Sequence, residues 1–220
     1  MKNLRLTLFT ILFLCVVHAV FAQQKVPFAD EIAEFKKHDE SNPPKKQGNL
    51  FIGSSSIRLW DDLEARFPGK TVVKRGVGGS ELWQWTAYYT PDLIYPYEPA
   101  RIFIYAGEND IAGGKSAQDV LKSFTGLYSL IREKLPVAKI YFLSIKPSPS
   151  REKYFNEMVK ANALVRSFLK NKPAARYIDV SRVILGPDGK PEPSLFKEDM
   201  LHMNSLGYDR WQKVLAPLVR

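Results

Sequence analysis

From residue 50 to residue 214 the chain alternates short apolar runs with helix-length amphipathic segments, and few folds accept that order. Strands are predicted at Leu50–Gly53, Thr71–Val73, Arg101–Ala106, Lys139–Ser144 and Arg176–Val180. Helices are predicted at Arg58–Arg66, around Glu81–Tyr88, and at Ala117–Lys134, Glu152–Leu169 and Leu206–Val214. Strands separated by helices imply right-handed crossovers and a largely parallel sheet covered on both faces. The runs are apolar along most of their length, as burial on both faces demands. In such sheets ligands gather beyond the carboxyl ends of the strands, so the residues that follow each strand are the ones to inspect.

The ends of the chain add constraints. Lys2 and Arg5 precede an apolar run from Leu6 to Val20, and Ala22 is followed by Gln23-Gln24, which reads as a secretory signal over residues 1–22. The run is shorter than the roughly 20 residues of a spanning helix, so no stable membrane anchor is expected. Cys15, the only cysteine, lies within it. A chain cut after residue 22 therefore has no disulfide framework, no thiol chemistry and no cysteine-ligated metal. Residues 23–47 are expected to form a polar amphipathic helix (29–40) and a Pro/Lys-rich connector packed on one domain, residues 48–220. The formal net charge is +9, and loss of Lys2 and Arg5 would take two from it. The cations are scattered, which suits a solvated face and attraction to acidic surfaces or glycans, not nucleic acid. Oligomeric state is not legible.

Four clusters follow the strands. Phe51-Ile52-Gly53-Ser54-Ser55-Ser56-Ile57 puts serines at a strand end and a helix start, where they serve as a nucleophile or simply as a helix cap. Gly76-Val77-Gly78-Gly79 is either a plain turn or a loop exposing backbone N–H groups; it matches neither phosphate-loop spacing. Gly107-Glu108-Asn109-Asp110 is a tight turn whose asparagine either closes the turn or offers its amide to a ligand. Asp199 and His202 are three apart, so one turn can set the carboxylate beside the imidazole and fix its tautomer. Of three histidines, His18 lies in the apolar leader and His38 in a polar stretch, so a histidine that activates serine is His202. Trp83 and Trp85 follow the glycine turn and can stack on sugar rings or pack inside. No ligand cluster for a metal or organic cofactor is apparent.

In this order the clusters resemble the SGNH (GDSL-type) hydrolase superfamily over essentially residues 48–218. Gly53-Ser54-Ser55 resembles its first block, Gly79 its second-block glycine, Gly107-x-Asn109-Asp110 its third block and Asp199-x-x-His202 its fifth. Tyr105–Ile111 is similar to the branch of platelet-activating-factor acetylhydrolase-like and bacterial carbohydrate acetylesterase-like members. The resemblance implies a flavodoxin-like α/β/α sandwich with a five-stranded parallel sheet of order 2-1-3-4-5. It also implies an esterase with Ser55 as nucleophile, His202 as base, Asp199 as its partner, and Ser55, Gly79 and Asn109 as oxyanion donors. Short-chain, chiefly acetyl, esters on a carbohydrate are the expected substrates. Two departures stand out: Ser54 replaces the usual aspartate, and Lys74 stands where relatives often carry asparagine before the glycine turn.

Overall fold

The computed structural model describes residues 26–220, so the leader reading of residues 1–22 lies outside the described residues. Five strands, β1 (Asn49–Gly53), β2 (Val72–Gly76), β3 (Arg101–Tyr105), β4 (Lys139–Leu143) and β5 (Ala175–Ile178), pair in parallel in the order 2-1-3-4-5. The expected sheet is therefore the observed one. Helix α1 (Ala29–Ser41) precedes β1, and a single turn, α2 (Ser55–Arg58), follows it. After β2 come α3 (Leu82–Gln84) and α4 (Thr90–Leu93); α5 (Glu108–Ala112) and α6 (Ala117–Lys134) follow β3. Helix α7 (Phe155–Leu169) links β4 to β5, and α8 (Ser205–Leu215) ends the chain.

Alternation along the strands splits the core in two, because successive side chains point to opposite faces. Leu50, Ile52, Ile102, Ile104, Ile140 and Phe142 face a cluster closed by α6 and α7. Phe51, Phe103, Tyr105, Tyr141 and Leu143 face the other, closed by Trp60, Tyr208 and Trp211. Register places Phe51 beside Phe103 and Phe103 beside Tyr141. Their rings stack at 4.4 and 4.8 Å, forming an aromatic ladder across the three central strands.

Two predicted helices differ. Arg58–Arg66 is helical only through Arg58 and continues as i→i+3 turns, Trp60 N–H to Ile57 and Leu63 N–H to Trp60. Those turns still bury Ile57, Trp60, Leu63 and Phe67 in one core, so the helix-like spacing was real while the helix was not. The Glu81–Tyr88 segment contains a π turn, Trp85–Tyr89, closed by Thr90 N–H on Trp85 O. Pro91 has no N–H to continue an ordinary ladder, which favours the widened turn. The irregular stretch 181–197 holds two short 3₁₀ turns and places Ile184, Leu195 and Phe196 in the core. No helix among the described residues is long and apolar enough to cross a membrane.

Candidate active site

The sheet delivers Ser55 by a close approach of two strand ends. Gly53 pairs with Tyr105 and Ser54 N–H donates to Tyr105 O at 3.0 Å. A Cβ on Gly53 would lie 1.8 Å from that same oxygen, at a φ of +139°, so only glycine fits. The chain then turns sharply, with buried Ser54 extended as the residue before α2 and Ser55 as its first residue. Ser55 is half-buried, whereas Ser54 and Ser56 are sealed away.

The second side comes from a turn after the long loop. Asp199 Oδ1 accepts the N–H groups of Leu201 and His202, both at 2.9 Å, and folds the segment back on itself. Its other oxygen accepts His202 Nδ1–H at 2.5 Å, which assigns the tautomer. Nε2 is left to accept the Ser55 hydroxyl at 2.8 Å. Burial alone would raise the Asp199 carboxyl, but the bonds from the His202 side chain and from the two N–H groups outweigh it and bring it down to about 2. The carboxylate is thus a fixed anion beside the imidazole, and serine, histidine and aspartate form one hydrogen-bonded row.

The loops after β2 and β3 carry the groups expected to act as donors. Gly79, at a φ of +76°, sits in the loop after β2. Among the described residues neither its N–H nor that of Ser55 has a protein acceptor. Val77 N–H and the Ser80 hydroxyl both bond Gly53 O, which fastens this loop to the end of β1. Asn109 Nδ2 donates to Ser80 O at 3.1 Å, so the loops after β2 and β3 are tied together. An amide nitrogen has two hydrogens, and one remains after that bond.

Sequence reasoning missed several contributors. Glu31, on α1, accepts Gly78 N–H at 2.8 Å, so the N-terminal helix props the glycine loop. Asp110 is fully buried and accepts Leu82 N–H through both oxygens; burial is the main cause that raises its carboxyl to about 6. Lys146 is fully buried, pairs with Glu108 at 3.2 Å and donates at 2.8 Å to the carbonyl of Leu201, the residue before His202. Glu108 also accepts the Tyr105 hydroxyl at 2.5 Å. The one available signal was Lys146 itself, a charge between Ile145 and Pro147 just beyond a strand end.

One expectation needs correction. Trp85 has no exposed surface and donates Nε1–H to Ser80 Oγ, so it packs beneath the loop and is not a substrate platform. Trp83 stays half-exposed beside a cavity of about 540 Å³, yet it is engaged by Glu81 through Nε1 and by the Lys115 ammonium over its ring. Lys74 lies within β2 and bonds Trp60 O, which fastens the turns after α2. Five cavities of about 230 to 800 Å³ among the described residues are lined by neither Ser55 nor His202. Among the described residues, no group of three or more His, Cys, Asp or Glu is placed to hold a metal ion.

Known proteins resemble the chain in family and in fold. The family model for GDSL-like lipase/acylhydrolase matches residues 53–210. A solved structure from Streptococcus pneumonia, described as a candidate platelet activating factor, is 21% identical with a TM-score of 0.77, covering 87% of this chain and 92% of that one. A GDSL-like lipase from Bacteroides thetaiotaomicron is 19% identical with a TM-score of 0.68, covering 85% and 97%. A carbohydrate esterase family 3 structure from Talaromyces cellulolyticus is 14% identical with a TM-score of 0.60, covering 78% and 95%. No curated protein matches in sequence.

Proposed function

The chain belongs to the GDSL-like lipase/acylhydrolase family of ester-hydrolysing serine enzymes, and from that premise we propose that it is an exported esterase removing short acyl groups, acetyl first, from a carbohydrate. The observation that carries the catalytic half is the unbroken row Ser55 Oγ, His202 Nε2, His202 Nδ1, Asp199 Oδ2, at 2.8 and 2.5 Å. In this reading Ser55 Oγ attacks the ester carbonyl carbon while its proton passes to His202 Nε2, and Asp199 stabilises the imidazolium. The oxyanion takes the N–H groups of Ser55 and Gly79 and the remaining Nδ2–H of Asn109. Collapse expels the alcohol, which leaves with the proton from His202. Water then attacks the acyl-serine through the same histidine, releasing the acid and restoring the hydroxyl.

None of the five cavities is lined by Ser55 or His202, and a long acyl chain would need such a cavity to bury its methylenes, which favours a small acyl group. A formal charge of +9 and the export reading of residues 1–22 favour an extracellular or periplasmic glycan ester over an intracellular thioester. Rates on model esters from acetyl to octanoyl test this: turnover is expected to be highest at acetyl and to fall with length. A steep rise toward octanoyl would assign the enzyme to lipids.

A further inference from the structure

The segment that follows β4 touches both halves of the site. Its start is pinned to α7, where the Asn162 side chain accepts Ile145 N–H at 2.8 Å and donates to Ile145 O at 2.9 Å. Lys146 then bonds Leu201 O, and Ser150 bonds Met200 O through its N–H at 3.1 Å and its hydroxyl at 2.9 Å. Both carbonyls belong to the turn that presents His202. The next residue turns the other way. Arg151 Nη1 donates to Glu108 O at 2.9 Å and Nη2 to Asn109 Oδ1 at 3.2 Å.

We propose that Arg151 is a positioning residue for Asn109, fixing which end of its amide faces the reacting carbonyl and strengthening the N–H offered there. The proposal rests on the reading of Asn109 as an oxyanion donor. An amide side chain is nearly symmetric in shape, and a flip would exchange a donor for an acceptor that repels the oxyanion. Arg151 excludes the flip, because a guanidinium carries donors only and must be met by Oδ1. Ser80 O reinforces the choice from the opposite end by requiring Nδ2. A cation on Oδ1 also draws electron density from the amide, so its N–H becomes a better donor in a chain of polarised hydrogen bonds. Because the same seven-residue segment, 145–151, holds the His202 turn, base and donor are referred to one rigid support. Nothing in this requires Arg151 to touch substrate, so its effect belongs in kcat.

The experiment measures kcat and KM on an acetyl ester for Arg151→Ala, Asn109→Ala and the double variant, with thermal melts as a check on folding. Arg151→Ala is expected to lower kcat on the order of tenfold, less than the full loss of a donor, with KM within about twofold. The double variant is expected to be no slower than Asn109→Ala alone, because Arg151 acts only through that amide. Arg151→Lys, which supplies a charge but a single point of contact, should recover part of the loss. If Arg151→Ala melts early, Arg151→Gln takes its place, keeping the stem and an uncharged donor, with the same ordering expected. Losses that multiply in the double variant, a raised KM with unchanged kcat, or an unchanged Arg151→Ala would overturn the proposal. An unchanged Asn109→Ala would instead remove the oxyanion reading on which it rests.

Discussion

The two sides of Ser55 are supported by opposite chemistry. On the His202 side, a buried ammonium donates to a backbone carbonyl and is neutralised by Glu108, with Tyr105 completing the group. On the oxyanion side, carboxylates accept backbone N–H groups instead: Glu31 from Gly78, and Asp110 from Leu82 just beyond the glycine loop. The first arrangement is dry and charge-balanced. The second includes a half-exposed acid on a separate helix and a buried acid whose nearest cation, Lys115, lies 3.9 Å away. The base is thereby held by a balanced buried pair, while the glycine loop rests on two carboxylates, one of them raised by burial to about 6.

The largest effect that would sharpen this contrast lies in the turn itself. Asp199→Asn should reduce kcat by about 10³- to 10⁴-fold with little change in folding, because an amide cannot stabilise the imidazolium and tends to reverse the tautomer. Steady-state rates alongside a melting curve decide it; a loss below tenfold would mean that the row of bonds is not what drives the serine.

Next comes the buried pair. Lys146→Met should cost about 3 kcal/mol or more in denaturant unfolding, since Glu108 would be left buried without its cation. Glu108→Gln in the same background should return part of that loss by removing the stranded charge. Equal stability of wild type and Lys146→Met would place the support elsewhere and erase the contrast between the sides.

A smaller effect is specific to the oxyanion side and depends on pH. Because Asp110 is raised from 3.8 to about 6 on folding, the folded state binds the proton more tightly than the unfolded chain. Stability from this group is therefore greatest below pH 4 and falls as pH rises toward 6, by about 3 kcal/mol in total. Carboxylates held down in the folded state, such as Asp199, push the opposite way, losing their contribution as pH falls. Comparing wild type with Asp110→Asn cancels those other groups: the difference in unfolding free energy should vary between pH 4 and pH 6 and be flat above. A flat difference throughout would show that Asp110 is not an unwilling anion.

The smallest expected effect is at the prop from α1. Glu31→Gln keeps an acceptor for Gly78 N–H but removes its charge, so kcat should fall about fivefold or less, on the order of 1 kcal/mol. A larger loss in kcat than Asp199→Asn gives would invert the comparison.

How much of this could be read beforehand follows from where the information sits. The sheet and its order were legible because buried parallel strands must be apolar throughout and the helices between them must fit a crossover. The meeting of Ser55 with the Asp199-His202 pair was legible because one follows a strand end and the other a long loop, and because histidine is scarce. Glu31, Lys146 and Arg151 were not, since each lies in a polar or proline-containing stretch and gains its partner only when distant loops meet. Trp85 misled for the opposite reason: its neighbours Trp83 and Tyr88 are partly exposed, while its own burial depends on a π turn that the spacing of apolar residues does not announce.

The central claim is that Ser55, and neither of its hydroxyl neighbours, is the nucleophile activated by His202. Reaction with a serine-directed phosphonate followed by peptide mass mapping tests it most directly. The account predicts one adduct per chain, on Ser55, absent from Ser55→Ala and strongly slowed in His202→Ala. An adduct that persists in Ser55→Ala, on Ser54, Ser56 or any other residue, would contradict it.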